Sequence, residues 1–361
     1  MKELKSTKIV YVLGTKAQFI KCKQILLNLM KNDVSILVLD TGQHKELTTK
    51  ELDDSGLIYE YLELNDNKRN ISTIPGMIFW FFKTLFSANQ KGKLNEISYS
   101  MIHGDTISTL IGLIFSKRNK LKIIHLESGY KSHNIFKPFP EEIIRNIVTR
   151  FSDILVVDGE KQFMNVSKYK KDKEIIKISR NTIYDSLHTY LKNKNFQTTD
   201  SLVVTVHRTE NIYNKRRLLS LIKLLYEIKN NYNFDSIKWF CHDVTKNILS
   251  KNNLINEIQA NGIVLKELTT HENFINELIT TKLIITDGGS IAEECSILGL
   301  NTIVWRDVVE NNDYINENVI LSNYDYEKIY KFINDLPSNN LILDKTNSPS
   351  KELVEKLIKY L

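Results

Sequence analysis

Cysteine, proline and glycine are all scarce in this sequence, with 3, 5 and 13 residues among 361. The cysteines, Cys22, Cys241 and Cys295, lie far apart and form no C-x-x-C pair, so we predict neither a disulfide framework nor a zinc site. This use of cysteine favours a reducing compartment, and we expect a cytoplasmic protein. With so little proline and glycine, the composition is that of a globular chain rather than a fibrous or disordered one.

Long apolar runs are also missing. No stretch of about 18 apolar residues occurs, which argues against a membrane-spanning helix. The first apolar run ends before Gly14 after only about six residues, which predicts a first strand and not a signal peptide. The most apolar stretch, residues 77–86 (MIFWFFKTLF), lacks the basic polar face of a membrane-surface helix, so we predict a buried or dimer-forming helix there.

Basic residues are only slightly in excess. The chain has 49 Lys and Arg against 43 Asp and Glu, a formal net charge of +6. The excess is spread along the chain without an arginine-rich helix or a recognition motif, which argues against nucleic-acid binding. It is compatible with a small anionic substrate.

Short β-rich apolar runs alternate with helical segments along most of the chain, which is typical of parallel sheets covered by helices on both faces. The length favours two domains. The predicted strands cover residues 8–13, 34–39, 99–102, 121–125, 153–157, 175–178, 202–206, 237–241, 283–286 and 302–305.

A polar break at residues 188–200 (HTYLKNKNFQTTD) predicts the linker between an N-terminal domain, residues 1–187, and a C-terminal domain, residues 201–348. Apolar residues at helical spacing in the last segment, residues 349–361, predict a terminal helix that packs back on the N-terminal domain.

Polar motifs follow the predicted strands, at the carboxyl ends where open parallel sheets bind ligands. The first strands end in GTKAQFIK, DTGQHKE, IHGDTIST and HLESGYKS, and TVHRTEN and TDGGSIAEE follow in the second half. In the last motif, Gly288, Gly289 and Ser290 place backbone N–H groups at a helix N-terminus, which favours a phosphate site. A plain helix cap at Ser290 is the alternative.

Taken together and in order, these motifs resemble those of bacterial UDP-N-acetylglucosamine 2-epimerases. The resemblance covers about residues 8–313 and implies an α/β fold of two Rossmann-like domains, with parallel sheets flanked by helices in the glycosyltransferase-B arrangement. It also implies an active site in the interdomain cleft and a homodimer. The matching segments are residues 14–16, 41–44, 103–109, 125–129, 138–145, 181–185, 205–211 and 286–307.

The resemblance implies inversion at C2 of a UDP-linked N-acetylhexosamine, through loss of UDP and the C2 proton to a glycal and re-addition. Acid–base groups must then serve both faces of the sugar ring. The implied catalytic residues are Asp105, Glu127, Glu141 and His207. The implied residues for binding substrate or UDP are Lys16, Lys21, Arg145, Asn181, Arg208, Glu210, Gly288, Gly289, Ser290, Glu294 and Arg306. No cofactor is expected.

Activator sites in such enzymes are built partly on TGQH and on an H-x-N-P segment. Gln43, His44 and His242 are therefore the possible regulatory residues. The segment CHDVTKN lacks the Asn-Pro pair, which argues against allosteric activation.

Some loops depart from the family pattern. GTKAQ replaces GTRPE, DGGS replaces DSGG, VENND replaces TERPE, and Arg180 replaces a glycine. The first change exchanges a guanidinium fork for the point charge of Lys16 and removes an acidic residue.

Other functions stay open beside a UDP-sugar epimerase for surface polysaccharide synthesis. A hydrolysing epimerase would release free amino sugar, and a glycosyltransferase would use the same UDP site. A catalytically inactive binding protein is disfavoured by the retained carboxylates. His103 and His125 share no close ligand spacing with a carboxylate or cysteine, so we expect no metal site.

Overall fold

The computed structural model describes residues 8–43, 45–65, 74–87, 94, 97–131, 140–191, 196–309, 314–337 and 347–361. The chain divides into two compact units. Unit 1 comprises Met1–Ser186 and Thr346–Leu361, and unit 2 comprises Leu187–Lys345.

Unit 1 contains a parallel sheet in the order β3-β2-β1-β4-β5-β6-β7. Its strands are β1 (Lys8–Leu13), β2 (Ser35–Asp40), β3 (Glu60–Glu63), β4 (Ile97–His103), β5 (Lys122–Leu126), β6 (Ile154–Val157) and β7 (Glu174–Lys177). Its helices are α1 (Lys16–Met30), α2 (Lys45–Asp53), α3 (Ile74–Ser87), α4 (Ile107–Arg118), α5 (Glu141–Phe151) and α6 (Glu160–Val166), with a 3-10 turn at Ser167–Tyr169. Helix α7 (Ile183–Leu191) leads into unit 2.

Unit 2 contains a second parallel sheet in the order β10-β9-β8-β11-β12-β13. Its strands are β8 (Thr199–Thr205), β9 (Ser236–Cys241), β10 (Ile263–Glu267), β11 (Thr281–Thr286), β12 (Thr302–Val304) and β13 (Val319–Leu321). Its helices are α8 (Thr209–Ile212), α9 (Lys215–Asn231), α10 (Asp243–Lys251), α11 (Ile255–Ala260), α12 (His271–Ile279), α13 (Gly289–Leu298) and α14 (Tyr326–Asn334). Helix α15 (Pro349–Leu357) returns to unit 1.

Strand β1 shows why the first sheet is covered on both faces. Ile9 and Tyr11 belong to one buried cluster, whereas Val10 and Val12 belong to another. Since side chains alternate across a strand, a continuous apolar run contributes residues to the cores on both faces of the sheet.

Helix α15 completes the first of these cores. Leu353, Val354 and Leu357 lie fully buried in the same cluster as Ile25 and Leu29 of α1. The start of the helix is also fixed, because the Ser350 amide donates to Asp185 Oδ2 over 2.7 Å.

The predicted linker is too long at both ends. Residues 188–191 belong to α7, and β8 already begins at Thr199. Leu187, Tyr190 and Leu191 are buried at helical spacing, so packing extends the helix into a segment whose composition is polar.

Strands β3, β10 and β13 were not predicted from the sequence. Each lies at the edge of its sheet and is largely polar, short or partly exposed. An edge strand needs no continuous apolar run, which is the pattern that identified the others.

Helix α3 is not a buried helix, so that prediction is wrong. Trp80 is buried and donates from Nε1 to the Thr41 carbonyl over 2.8 Å, but Phe79 and Phe86 are 71% and 83% exposed. One face therefore packs and the other is open. Dimer formation through this helix stays a prediction. Across the described residues, no helix has the length and apolar character needed to cross a membrane.

Candidate active site

The turn after β1 packs tightly against the turn after β4 and is hydrogen-bonded to it. A Cβ on Gly14 would lie 2.2 Å from that of Ser108, so only glycine fits there. Thr15 and Gln18 form a capping box at the start of α1. The Gln18 amide also donates to the His103 carbonyl over 2.7 Å and to Thr106 Oγ1 over 3.0 Å. The loop that carries Asp105 is thereby held against α1.

Asp105 forms a close ion pair with Arg145, which lies on α5. Arg145 also pairs through Nη1 with Glu142 Oε2 at 2.5 Å, so two carboxylates share one guanidinium. Burial raises the pKa of Asp105, the Arg145 charge opposes that rise, and the Glu127 charge adds to it. Asp105 is thus shifted toward the protonated form.

The surroundings of Glu127 shift its pKa in the direction opposite to that of Asp105. Lys21 contacts its Oε1 closely, Asn181 Nδ2 donates to the same oxygen over 2.8 Å, and His103 Nε2 lies 3.7 Å from Oε2. Burial works to raise the pKa of Glu127, but Lys21 and His103 outweigh it and lower that pKa overall. Glu127 also has φ of 60°, a left-handed backbone that costs about 1–3 kcal/mol and is often found at functional sites.

His103 and His125 are buried and neutral near pH 7. Desolvation lowers the pKa of each to about 4. His125 Nε2 is 2.8 Å from the Gly104 carbonyl, which requires that this nitrogen carries the proton. Among the residues that the structure describes, no cluster of three or more His, Cys, Asp or Glu side chains is arranged to hold a metal ion.

Glu141 and Lys16 are the two other predicted site residues of unit 1. Glu141 opens α5, its charge acts on Asp105, and its buried Oε2 has no hydrogen-bond partner among the described residues. The Lys16 ammonium lies 3.1 Å from Glu51 Oε1, so this predicted ligand of substrate is already paired with a carboxylate.

In unit 2, the fully buried carboxylate of Asp287 organises the loop after β8. It accepts from the His207 amide at 3.1 Å, the Arg208 amide at 2.9 Å and Asn211 Nδ2 at 2.9 Å. His207 Nδ1 is 3.4 Å from Asp287 Oδ1. These hydrogen bonds fix the loop that presents His207 and Arg208.

The His207 ring lies against that of His242, with 4.3 Å between the ring centroids and 37° between the planes. Burial lowers the pKa of His207, while the Asp287 charge works in the other direction. A predicted catalytic residue and a predicted regulatory residue are therefore direct neighbours.

Helix α13 begins at Gly289, with Gly288 as its N-cap and no side-chain cap. Ser290 lies inside the first turn, so the alternative of a helix cap at Ser290 is wrong. A Cβ on Gly289 would meet nothing within 4 Å. Open space beside uncapped N–H groups at a helix N-terminus suits an anion such as a phosphate.

The remaining predicted ligands form two clusters in unit 2. Glu210 Oε1 lies 3.1 Å from Arg208 Nε and 3.4 Å from Arg306 Nε. Glu294 Oε1 lies 3.0 Å from His271 Nε2. These residues lie on segments that follow β8, β11 and β12.

The sequence profile described as UDP-N-acetylglucosamine 2-epimerase matches residues 28–353. The chain belongs to this family. The UDP-N-acetylglucosamine 2-epimerase of Methanocaldococcus jannaschii is 27% identical over 341 residues, 90% of this chain and 91% of that protein. The enzyme of Campylobacter jejuni is 27% identical over 338 residues, 87% of this chain and 85% of that protein.

Solved structures of epimerases share the fold. The Methanocaldococcus jannaschii enzyme in complex with UDP-GlcNAc and UDP gives a TM-score of 0.80 at 25% identity, covering 98% of this chain and 100% of that chain. The Neisseria meningitidis enzyme bound to UDP-GlcNAc gives 0.78 at 23% identity, covering 98% and 100%. The predictions of an epimerase and of two Rossmann-like domains with parallel sheets flanked by helices are confirmed.

Within this epimerase, Gln18 shows what a departure from the family pattern does. An acidic residue is usual at this position, but the neutral amide both completes the capping box and donates to the His103 carbonyl. An ionised carboxylate cannot donate to a carbonyl. Gln18 therefore both caps α1 and links it to the β4 turn.

Two residues with organising contacts were missed from the sequence of this epimerase. Gln18 was noted only as the loss of an acidic residue, and Asp287 was not singled out. The signal for Asp287 was a carboxylate directly after an apolar strand, followed by two glycines.

The predicted regulatory residues of the epimerase are only partly described. Gln43 Oε1 accepts from Ser108 Oγ over 2.5 Å, which places it at the turn that surrounds Gly14. His44 lies outside the described residues, as do Glu310 and Asn311 of the VENND segment.

Proposed function

We propose that this epimerase inverts C2 of a UDP-N-acetylhexosamine by eliminating UDP to form a glycal and then adding UDP back. The observation that carries the proposal is the opposite tuning of two carboxylates at neighbouring strand ends. The pKa of Asp105 is raised and that of Glu127 is lowered. Pairs of carboxyl groups whose pKa values are pushed apart can divide acid and base roles between them.

In this proposal Glu127, ionised beside Lys21, takes the C2 proton. The C1–O bond breaks as the electron pair from C–H forms the C1–C2 double bond, and UDP leaves as the anion. Asp105 in its protonated form then returns a proton to C2 from the opposite face while UDP re-attacks C1. Glu141 completes the acid–base set.

Unit 2 holds the nucleotide in this proposal. The uncapped N-terminus of α13 binds the diphosphate, assisted by His207 and Arg208 as the charge on the leaving group grows. Glu294 accepts from the ribose hydroxyls, and Lys16, Lys21, Arg145 and Asn181 serve the sugar side. The C-terminal domain is then the UDP-binding part of the chain and the N-terminal domain the acid–base part.

Support for the ligand class comes from relatives. The Methanocaldococcus jannaschii epimerase has been crystallised with UDP-GlcNAc and UDP, and the Neisseria meningitidis epimerase with UDP-GlcNAc. We propose UDP-N-acetylglucosamine, its C2 epimer or a deoxy relative as the substrate, and surface polysaccharide synthesis as the use of the product.

The test follows hydrogen at C2. UDP-N-acetylglucosamine is incubated with the protein in deuterated water without any acceptor, and the products are analysed by NMR. A UDP-linked epimer with deuterium at C2 is expected, because a carboxyl group exchanges its proton with solvent between turnovers.

Two other products have definite meanings. Free amino sugar with deuterium at C2 would assign the hydrolysing reaction, in which water replaces the returning UDP. Product that carries only protium at C2 would refute both epimerase mechanisms and favour glycosyl transfer, which breaks bonds at C1 alone.

A further inference from the structure

Three side chains from three helices of unit 2 meet in a buried contact. His271 opens α12, Glu294 lies on α13 and Tyr190 lies on α7. His271 Nε2 is 3.0 Å from Glu294 Oε1, and His271 Nδ1 is 3.4 Å from the Tyr190 hydroxyl. His271 and Glu294 are only 7% and 6% exposed. None of the family motifs that identified Glu294 includes His271 or Tyr190.

The contact with His271 uses only one carboxylate oxygen of Glu294. Oε2 is buried and has no hydrogen-bond partner among the described residues. Buried carboxylate oxygens are normally hydrogen-bonded, since an unsatisfied one has lost its water without gaining a donor. Oε2 therefore lacks a donor that the described part of the chain does not supply.

For a neutral ring, the contact also selects the tautomer of His271. A carboxylate only accepts, so Nε2 must carry the hydrogen that points to Glu294. In the neutral ring Nδ1 is then an acceptor, and the Tyr190 hydroxyl donates to it. The two rings also pack edge to face, with 5.4 Å between their centroids. Together these contacts hold the imidazole in one orientation.

We propose that His271 is a positioning residue that orients the Glu294 carboxylate to accept hydrogen bonds from the ribose hydroxyls of the uridine nucleotide. The inference rests on the role of Glu294 in the proposed function. A carboxylate on an unconstrained side chain would have to be ordered when the nucleotide binds, and that ordering weakens binding. His271 orders it beforehand and leaves Oε2 for the ligand.

The test compares UDP with 2′,3′-dideoxy-UDP by calorimetry. With the parent protein we expect UDP to bind about tenfold or more tightly, the usual size of a hydrogen bond to a charged group. His271→Gln places an amide N–H near the position of Nε2 and should keep this preference. His271→Asn reaches only the position of Nδ1 and should reduce the preference to about threefold or less.

Kinetics give a second readout. If His271 acts only through ground-state binding of the ribose, His271→Asn should raise KM for the UDP-sugar while kcat stays within about threefold of the parent. A purely structural role would instead weaken UDP and the dideoxy analogue equally. His188→Asn, on α7, is the matched control and should leave the hydroxyl preference unchanged.

The outcomes separate the two proposals. If the parent prefers UDP and His271→Asn keeps the full preference, His271 does not position Glu294, and the nucleotide site itself stands. If the parent binds both nucleotides equally, the ribose role of Glu294 fails and the positioning role fails with it. In that case incorporation of deuterium at C2 still tests the proposed reaction independently.

Discussion

In unit 1 the helices after β1 and β4 begin with capping boxes, whereas in unit 2 the helix after β11 begins at a glycine without a side-chain cap. A similar contrast holds between three carboxylates, although Glu141 of unit 1 resembles Glu294 in this respect. Asp105 and Glu127 are paired with Arg145 and Lys21, but Glu294 keeps one buried oxygen without a partner among the described residues.

This difference agrees with the proposed function, in which the two units have different tasks. Asp105 and Glu127 are already paired, so what remains to be used is the proton affinity of these two carboxyl groups. In unit 2, the uncapped N–H groups of α13 can bind the phosphates of a nucleotide, and the Glu294 carboxylate can accept from its hydroxyls. Changes in unit 1 should therefore affect turnover, and changes in unit 2 should affect nucleotide affinity.

The largest expected effect is that of Asp105→Asn. The side chain keeps its size but can no longer transfer a proton, so turnover of UDP-N-acetylglucosamine should fall by about 100-fold to 10,000-fold. UDP affinity, measured by calorimetry, should stay close to that of the parent.

Asp172→Asn removes an exposed carboxylate of the same unit and is the control for charge alone. Turnover of Asp105→Asn within a few-fold of this control would remove Asp105 from the mechanism. A large loss of UDP affinity in Asp105→Asn would contradict the assignment of UDP binding to unit 2 alone.

Gly289→Val makes the complementary change in unit 2. The added side chain finds open space in the protein, so the fold should persist, but it would occupy the approach to the uncapped N–H groups. UDP should bind about tenfold or more weakly, the loss expected for a charge-assisted hydrogen bond.

Thr15→Ala is the counterpart at a capped helix. It removes a hydroxyl that caps α1 and should lower the free energy of unfolding by about 1 kcal/mol while leaving UDP affinity unchanged. If Gly289→Val keeps full UDP affinity, or if Thr15→Ala loses it, the diphosphate site has been placed at the wrong helix.

A smaller effect concerns acid stability. The pKa of His125 is about 4 in the folded protein and about 6.5 in an unfolded chain, so below pH 6.5 the unfolded state binds more protons. Stability due to the neutral ring is complete above about pH 6.5 and is lost as the pH falls toward 4.

His125→Gln keeps an N–H donor for the Gly104 carbonyl but does not titrate. Between about pH 6 and pH 4.5 its unfolding free energy should fall less steeply than that of the parent, by up to about 1.4 kcal/mol per pH unit. Urea unfolding at several pH values measures this slope. Parallel curves for the two proteins would show that His125 does not contribute.

Much of the fold was predictable because central strands are buried on both faces and give continuous apolar runs, as in β1 and β8. Motifs at strand ends predicted that certain residues would lie close together, and Asp105 does pair with Arg145 and Glu127 with Lys21, while their roles stay predictions. Edge strands such as β3 carry no such signal.

Pairings between distant residues were not predictable. His271 and Glu294 lie on different helices, and nothing in the local sequence of either indicates the other. The left-handed backbone of Glu127 was equally hidden, because a non-glycine residue in that conformation is held by tertiary contacts rather than by its own preference. Lys16 was assigned to substrate from its motif, without any sign of Glu51.

The return of α15 to α1 sets an order for making the protein. Unit 1 is interrupted in the chain, and its closing helix is synthesised only after all of unit 2. Leu353 follows the end of α1 at Met30 by 323 residues (353 − 30), so at about 5–20 residues per second the apolar stripe of α1 that receives Leu353 and Leu357 stays uncovered for roughly 16 to 65 seconds on the ribosome. The first part of the chain to emerge is therefore among the last to finish folding, and it is exposed to aggregation in the meantime.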